Sequence, residues 1–532
     1  MILILPLTSF MKRVLMLFVF LSLILTLASP RETERELVVC FSSAEIGFNP
    51  LHAFTATEAQ IYTALYEGLV TYNPYSLEPV PAAARTWDMS PDKKTYRFYI
   101  RQNARYWDGT PVRAQDFKDT WFSLLDPEEK AEYSFLFDIV KGARDYRLGV
   151  SSDPGLVGIR VISDAVLEVE LENPSPHFLK ILCHHSFVPI HPAMLHKTNW
   201  TIYNSIPGNG PFYIYRRTAE EMVLLKNQLY WDAGKISLSG IRVLFNDDPA
   251  DVTSRFNEGE IHWAADGLQF SLVEDNNAIS ANALFATSYF FFSNRRKEFK
   301  NPAVRRGLSL LFPWKEIRGT QYNFMPTETL VPQIPYYPKA EGLGQNTEEG
   351  LRLLSEAGFP AGKGLPGIVI AVPENTESLR IAGLMAESLK SSLECEVAVE
   401  TVPYAGYFEL LKGDRYTLGT ITWIGDFADP LTFLSMWTAE SNLNDAAFND
   451  PGYDAILAES MTLEGEDRYK KMSDAEAKLL REAEVLPVSH SPAFNLIDLD
   501  RIGGWFPNPL DIHPFKFISF KQPRVKPGIV KY

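Results

Sequence analysis

Cysteine is scarce in this sequence. Three among 532 residues, Cys40, Cys183 and Cys395, stand far apart with no CxxC pair. Such spacing makes neither a disulfide framework nor a zinc motif. Positive charge is short as well: 51 Lys and Arg face 66 Asp and Glu, a formal charge of −15. That balance argues against nucleic acid as a partner, because binding to it rests on cations that neutralise phosphates. Catalytic strings are missing too. The chain has no HExxH, no GxSxG and no GK[ST] loop, so an exported hydrolase finds no motif here and no enzyme activity is expected. Gly362-Lys-Gly364-Leu-Pro-Gly367 fits the GxGxxG string. It precedes the strand-like Ile368-Val-Ile-Ala-Val372, whereas a dinucleotide loop needs strand, glycines and helix in that order. No cofactor is expected.

Long apolar runs are confined to one place. Residues 14–27 follow Lys12-Arg13 and lead to Ala28-Ser29-Pro30. The run is well short of the ~20 residues that a membrane-spanning helix needs. A basic pair, an apolar run and small residues in that order read as a secretory signal, with cleavage expected near Ala28 and Met11 as an alternative start. The expected product is exported to the periplasm or cell surface, free or tethered by its own N-terminus.

What is present is a large globular chain. Hydrophobic residues make up 46% and aromatics 13%, enough for a sizeable core in two to four domains. Leu37–Phe41 reads as a strand. Thr55-Ala-Thr-Glu58 has the cap-and-acid spacing of a helix start, and the helix continues to Tyr66. Tyr96, Phe98 and Ile100 alternate on one face of a half-buried strand. Phe117, Trp121, Leu124 and Leu125 line one face of a helix that Asp126-Pro127 ends. Asn346-Thr-Glu-Glu349 opens another helix and Gly358 closes it. Ile381, Leu384, Met385 and Leu389 mark a further helix face before the strand Glu396–Glu400.

The most informative stretch runs from Tyr416 to Pro430. The uncharged run Tyr416–Trp423 reads as a buried strand, and it delivers Asp426 to its carboxyl end. Ligand crevices in α/β proteins lie outside such ends. Asp426, with the indole of Trp423 close by, is therefore a candidate partner for a cation; the plain alternative is an acid in a turn. Asp429-Pro430 reads as the cap of a helix beginning at Leu431.

An ordered series of short motifs then resembles one family. It includes Leu65-Tyr-Glu-Gly-Leu69, Trp107-Asp-Gly-Thr-Pro111, Pro174-Ser-Pro176, Gly208-Asn-Gly-Pro-Phe-Tyr213, Tyr230-Trp-Asp232, Asn301-Pro-Ala-Val-Arg-Arg306 and Asn508-Pro-Leu-Asp511. The series is similar to the substrate-binding proteins of oligopeptide and dipeptide ABC transporters. The resemblance implies an α/β, two-lobed periplasmic-binding-protein fold of the class II type, with an extra domain and a ligand cleft between the lobes. It implies a first lobe from 29–66, 190–285 and 495–532, the extra domain at 67–189 and the second lobe at 286–494. The implied partners are a short peptide and a membrane-embedded ABC permease, with the receptor a monomer.

The resemblance also implies site residues. An aspartate shortly after a Trp pairs the ammonium of a peptide in such receptors, which here matches Trp423 and Asp426. Tyr404 falls at a groove aromatic. Tyr289 falls on a strand that pairs with peptide. Asp119 and Phe54 stand where family members often carry Tyr and Glu, and these departures leave the ligand open to a non-peptide solute such as a nickel complex, an oligosaccharide or an opine, or the receptor open to a sensor or chaperone role. No His or Arg matches a partner for the ligand's carboxylate; Arg380 and Arg295 are nearby cations by chain position, and the plain alternative for each is an ordinary surface residue. His177, His184, His185, His191 and His196 gather beside Cys183, but their spacing matches no standard metal motif, and no metal is expected.

Overall fold

Two long antiparallel strands, Ile279–Phe292 and Val485–Ile497, run side by side through the middle of the molecule. The computed structural model describes residues 36–521 apart from Ser43, Phe54, Pro176, 320–324 and Ala428. The expected signal segment and Phe54 therefore lie outside the described residues.

The two long strands join the halves of one eleven-stranded sheet. On one side lie Leu418–Ile424, Ile368–Pro373 and Val397–Val402; on the other lie Trp263–Ala264, Glu36–Phe41, Gly240–Phe245, Glu221–Lys226 and Phe212–Arg217. Ile368–Pro373 pairs in parallel with both of its neighbours. Helices cover such strands, so both faces are apolar and the sequence Ile-Val-Ile-Ala-Val shows no alternation. The helices Pro302–Ser309 and Thr376–Ser392 supply that cover through Leu308, Met385 and Leu389, which close a core with Phe292 and Ile370. This packing makes the second lobe.

Midway along, the long strands lose register. Ala283 faces Pro492, and pairing resumes at Thr287 with His490. Two residues on one strand advance while four advance on the other, which is a bulge. Pro492 has no N–H to give to a ladder at this point. The bulged backbone bonds elsewhere: Phe285 N–H donates to the Pro509 carbonyl at 2.7 Å, and the Phe285 carbonyl accepts from Gly425 N–H at 2.8 Å. The bend between the lobes is thus tied to both of them.

A separate four-stranded antiparallel sheet is formed by Ala84–Met89, Thr95–Ile100, Val166–Glu170 and Ile159–Ser163. Tyr96, Phe98 and Ile100 are buried on its inner face under the helix Ala114–Leu124. Its outer face carries cross-strand ion pairs, Arg97 with Glu168 at 2.6 Å and Arg160 with Glu170 at 2.7 Å.

Motifs far apart in sequence converge at Glu67. Asn209 exchanges two hydrogen bonds with the Glu67 backbone, Trp231 Nε1 donates to its Oε2 at 2.6 Å, and Lys516 Nζ reaches Oε1 at 2.8 Å. Glycine is required beside it, because a Cβ on Gly208 would stand 2.0 Å from the Leu65 carbonyl oxygen and one on Gly210 2.4 Å from that of Ala64. The Leu-Tyr-Glu-Gly and Gly-Asn-Gly-Pro strings are thus two sides of one close backbone contact.

Candidate functional site

The strand Leu418–Ile424 ends where the second lobe meets the four-stranded unit, and Asp426 stands at that meeting point. Its side chain is 9% exposed. Thr432 holds it by two bonds: the hydroxyl accepts from Asp426 N–H at 2.8 Å and donates to Oδ2 at 2.9 Å. Across the junction, Tyr72 OH donates to the Asp426 carbonyl at 2.8 Å. Tyr133 faces the carboxylate; burial first, and this negative charge second, push its phenol far above the usual range. His184 Nε2 lies 3.4 Å from Oδ1. His184 Nδ1 accepts from Ser186 N–H at 3.3 Å, which leaves Nε2 facing the carboxylate. Among the described residues, no Lys or Arg pairs with Asp426. A buried carboxylate without a Lys or Arg partner is a candidate to meet a cation from outside.

The neighbouring acid differs. Asp429 accepts from Leu431 N–H at 3.0 Å, the helix-start contact expected from sequence. It also takes a two-pronged pair from Arg468, at 2.7 and 2.8 Å. Burial alone would raise the Asp429 carboxyl, but the guanidinium overcomes it and holds it below the usual carboxylate range.

Beside Ile424 opens a cavity of about 400 Å³ between the lobes. Phe41 and Trp263 wall it from the first lobe, Ile424 from the second, and Leu284 and Ala493 of the two long strands form its floor. Asp266 projects from the loop after Trp263–Ala264 and accepts from Ser42 N–H at 2.7 Å and Ser42 Oγ at 2.8 Å. Burial raises its carboxyl. The cavity sits on the bulge in the long strands and at the carboxyl ends of Glu36–Phe41 and Leu418–Ile424. Such strand ends are where open α/β sheets place ligands.

The other sequence candidates divide. Trp423 is buried, and its indole donates to the Thr432 carbonyl at 3.1 Å. It positions the Asp426 turn and faces no open space. Tyr404 is 54% exposed; after burial, Glu45 and Asp266 are what raise its phenol, which sets it at the cleft's acidic rim. Tyr289 needs correction. Its strand is paired on both sides, by Leu418–Ile424 and by Val485–Ile497, and the ring is 1% exposed against Phe291 and Trp437. No edge remains there for a peptide. Asp119 lies on the helix Ala114–Leu124 and accepts from Gln115 one turn earlier at 2.6 Å. Arg380 is taken by Glu377 and by the carbonyls of Glu316 and Ile317. Arg295 donates to the Asp445 carbonyl. Neither arginine faces the cavity.

The histidine cluster disperses. His185 bonds to the Ala53 carbonyl at 2.9 Å, His177 to Ser175 at 3.2 Å, and His191 lies 3.2 Å from Asp108. Burial lowers His177 to about 4. Among the described residues no three His, Cys, Asp or Glu converge on a metal position. Thr432, Tyr72, Tyr133 and Asp266 were missed in sequence, where no local pattern distinguishes them from core or turn residues; His184 stood out only as one of a histidine cluster, not as a neighbour of Asp426.

Contacts also hold the four-stranded unit against the second lobe. Arg144 grips Glu440 with two bonds of 2.9 Å, Arg147 donates to the Glu440 carbonyl at 3.0 Å, and Asn442 donates to the Ala131 carbonyl at 2.7 Å.

Comparison with known proteins places the chain. The sequence model of the bacterial extracellular solute-binding proteins, family 5, middle region, matches residues 78–445. The oligopeptide-binding protein OppA of Bacillus subtilis is 27% identical over 453 residues, 80% of this chain and 81% of that one. The periplasmic murein peptide-binding protein MppA of Escherichia coli is 26% identical over 478 residues, 86% of this chain and 87% of its own. The solved structure of the E. coli murein tripeptide binding protein MppA superposes with a TM-score of 0.81 at 24% identity, covering 92% of this chain and 99% of that one. Listeria monocytogenes OppA bound to peptide gives 0.80 at 21%, with the same coverage. The unliganded open form of MppA gives only 0.61 at 25%, covering 91% and 97%.

Proposed function

The chain belongs to family 5 of the bacterial extracellular solute-binding proteins, and we propose that it is an exported receptor that captures short peptides between its lobes and delivers them to an ABC transporter. Asp426 carries this reading. It is a buried carboxylate at the lobe junction, fixed by Thr432 and faced by Tyr133 and His184, with no Lys or Arg paired to it among the described residues. A peptide's α-ammonium is the cation that answers it. A charge-assisted bond of this kind contributes about 1.5–3 kcal/mol, enough to fix which end of the peptide lies there. No covalent step is involved.

The lobe arrangement supports capture by closure. The superposition is better on a peptide-bound relative than on an unliganded open one. The pairs between Arg144, Arg147 and Glu440 hold the four-stranded unit against the second lobe in this arrangement. Ligand would favour that state through its extra contacts there, with the bulged strands as the hinge. Calorimetric titration with free tri- and tetrapeptides tests the reading. Binding in the micromolar range or tighter is expected. No heat with any peptide, together with a native mass spectrum free of co-bound peptide, would overturn it.

A further inference from the structure

The interlobe cavity carries charge of one sign. Among the described residues, Asp266 and Asp511 line it and no Lys, Arg or His does. No Lys or Arg among the described residues pairs with either carboxylate. Asp266 is held by the Ser42 backbone and hydroxyl. Asp511 accepts from Asn495 Nδ2 at 3.2 Å and from His513 Nε2 at 3.1 Å.

The two acids feel each other, since Asp511 adds to the upward push on Asp266. Like charges in one partly dry cavity are costly unless a cation enters. The remaining walls suit the cation that a peptide side chain brings. Phe41, Trp263, Phe270 and Phe494 line the same space, with Phe270 and Phe494 edge to face at 5.1 Å. Aromatic faces accept both the alkyl stem of Lys or Arg and its charged head. No cation of the protein occupies these four rings among the described residues.

We infer that this cavity selects a peptide bearing a lysine or arginine side chain, with Asp266 and Asp511 as the specificity-determining pair. The inference rests on the peptide-receptor reading above and adds the ligand's charge to it. Asp426 does not line this cavity, so the ammonium contact proposed there and the side-chain cation here are separate contacts. An acidic side chain is rejected by the same two carboxylates.

The test is a calorimetric titration with tripeptides of alanine in which one residue, at each position in turn, is lysine, arginine, norleucine or glutamate. Norleucine keeps the alkyl stem and lacks the charge. At one position, lysine and arginine are expected to bind at least about tenfold tighter than norleucine, and glutamate weaker than norleucine. In Asp266→Asn/Asp511→Asn the lysine-to-norleucine ratio is expected to fall to near one. Equal affinities for lysine, norleucine and glutamate at every position in the wild-type protein would overturn the inference while leaving the peptide receptor standing. Binding of none of them would overturn both.

Discussion

Asp426 and Asp429 lie three positions apart in one turn and are buried alike, with side chains 9% exposed, yet they are opposite kinds of site. Asp429 has a fixed cation, Arg468, 5% exposed, on two short bonds. It also receives a backbone N–H at the helix start. Every demand of that carboxylate is met within the second lobe, so nothing from outside is needed. Among the described residues Asp426 has no Lys or Arg partner, and Tyr72, Tyr133 and His184, which face it, come from another part of the chain. The difference teaches that burial of a charge does not mark a ligand site. What marks it is burial with hydrogen bonds but without a counter-charge.

The largest expected effect follows from removing the fixed cation. Arg468→Ala leaves Asp429 buried and unpaired, which costs about 3–5 kcal/mol. Urea unfolding should show that loss. A change below 1 kcal/mol would mean that the pair is not what holds the turn, and the contrast between the two acids would fail.

Glu476 gives the contrast a third member on the same helix as Arg468, Gly465–Arg481. It accepts from Leu330 and Val331 N–H and from Tyr337 OH, but it has no cation, and burial raises it to about 7 from 4.5. The folded chain then keeps a proton that the unfolded chain releases. The stabilisation is complete below the unfolded value of 4.5 and is lost as pH rises through 7. Asp429 has the reverse sign, with stability present above 3.8 and lost as pH falls below its folded value. Between pH 5 and pH 8 the wild-type protein should lose up to about 3 kcal/mol more than Glu476→Gln. Parallel stability curves would contradict this.

A smaller effect separates positioning from charge. Thr432→Val removes the hydroxyl that serves both the backbone N–H and Oδ2 of Asp426. Leaving that N–H unbonded costs about 1–3 kcal/mol. Free-amine peptides should weaken as well, since the carboxylate loses its orientation. Unchanged affinity would show that Tyr133 and His184 suffice to hold it.

Much of the local structure was legible. The strand Leu37–Phe41, the capping box at Thr55 and Glu58 and the face of Tyr96, Phe98 and Ile100 follow from patterns within a few residues, and they form as read. Partners were not legible. Arg468 is 39 residues from Asp429, and Lys516 is 449 from Glu67; periodicity reports which side chains are buried and is silent on what they meet. Tyr289 was read on a strand that pairs with peptide, or in the core, because a single strand does not reveal how many neighbours it has. Arg380 and Arg295 were candidates by chain position alone, and each is occupied by groups that the fold brings near. Asp426 stood out through its resemblance to a motif, and the absence of a paired Lys or Arg became visible only in three dimensions.

The central claim is that Asp426 meets a peptide ammonium, and Asp426→Asn tests it most directly. Asparagine keeps the shape and an acceptor for Thr432, so the melting temperature should move little, by less than about 1 kcal/mol in stability. Affinity for a free-amine peptide should fall by about 1.5–3 kcal/mol, or tenfold to a hundredfold and more. Affinity for the N-acetylated peptide, measured in the same calorimeter, should hardly change. Equal losses for the two peptides, or none for either, would contradict the account.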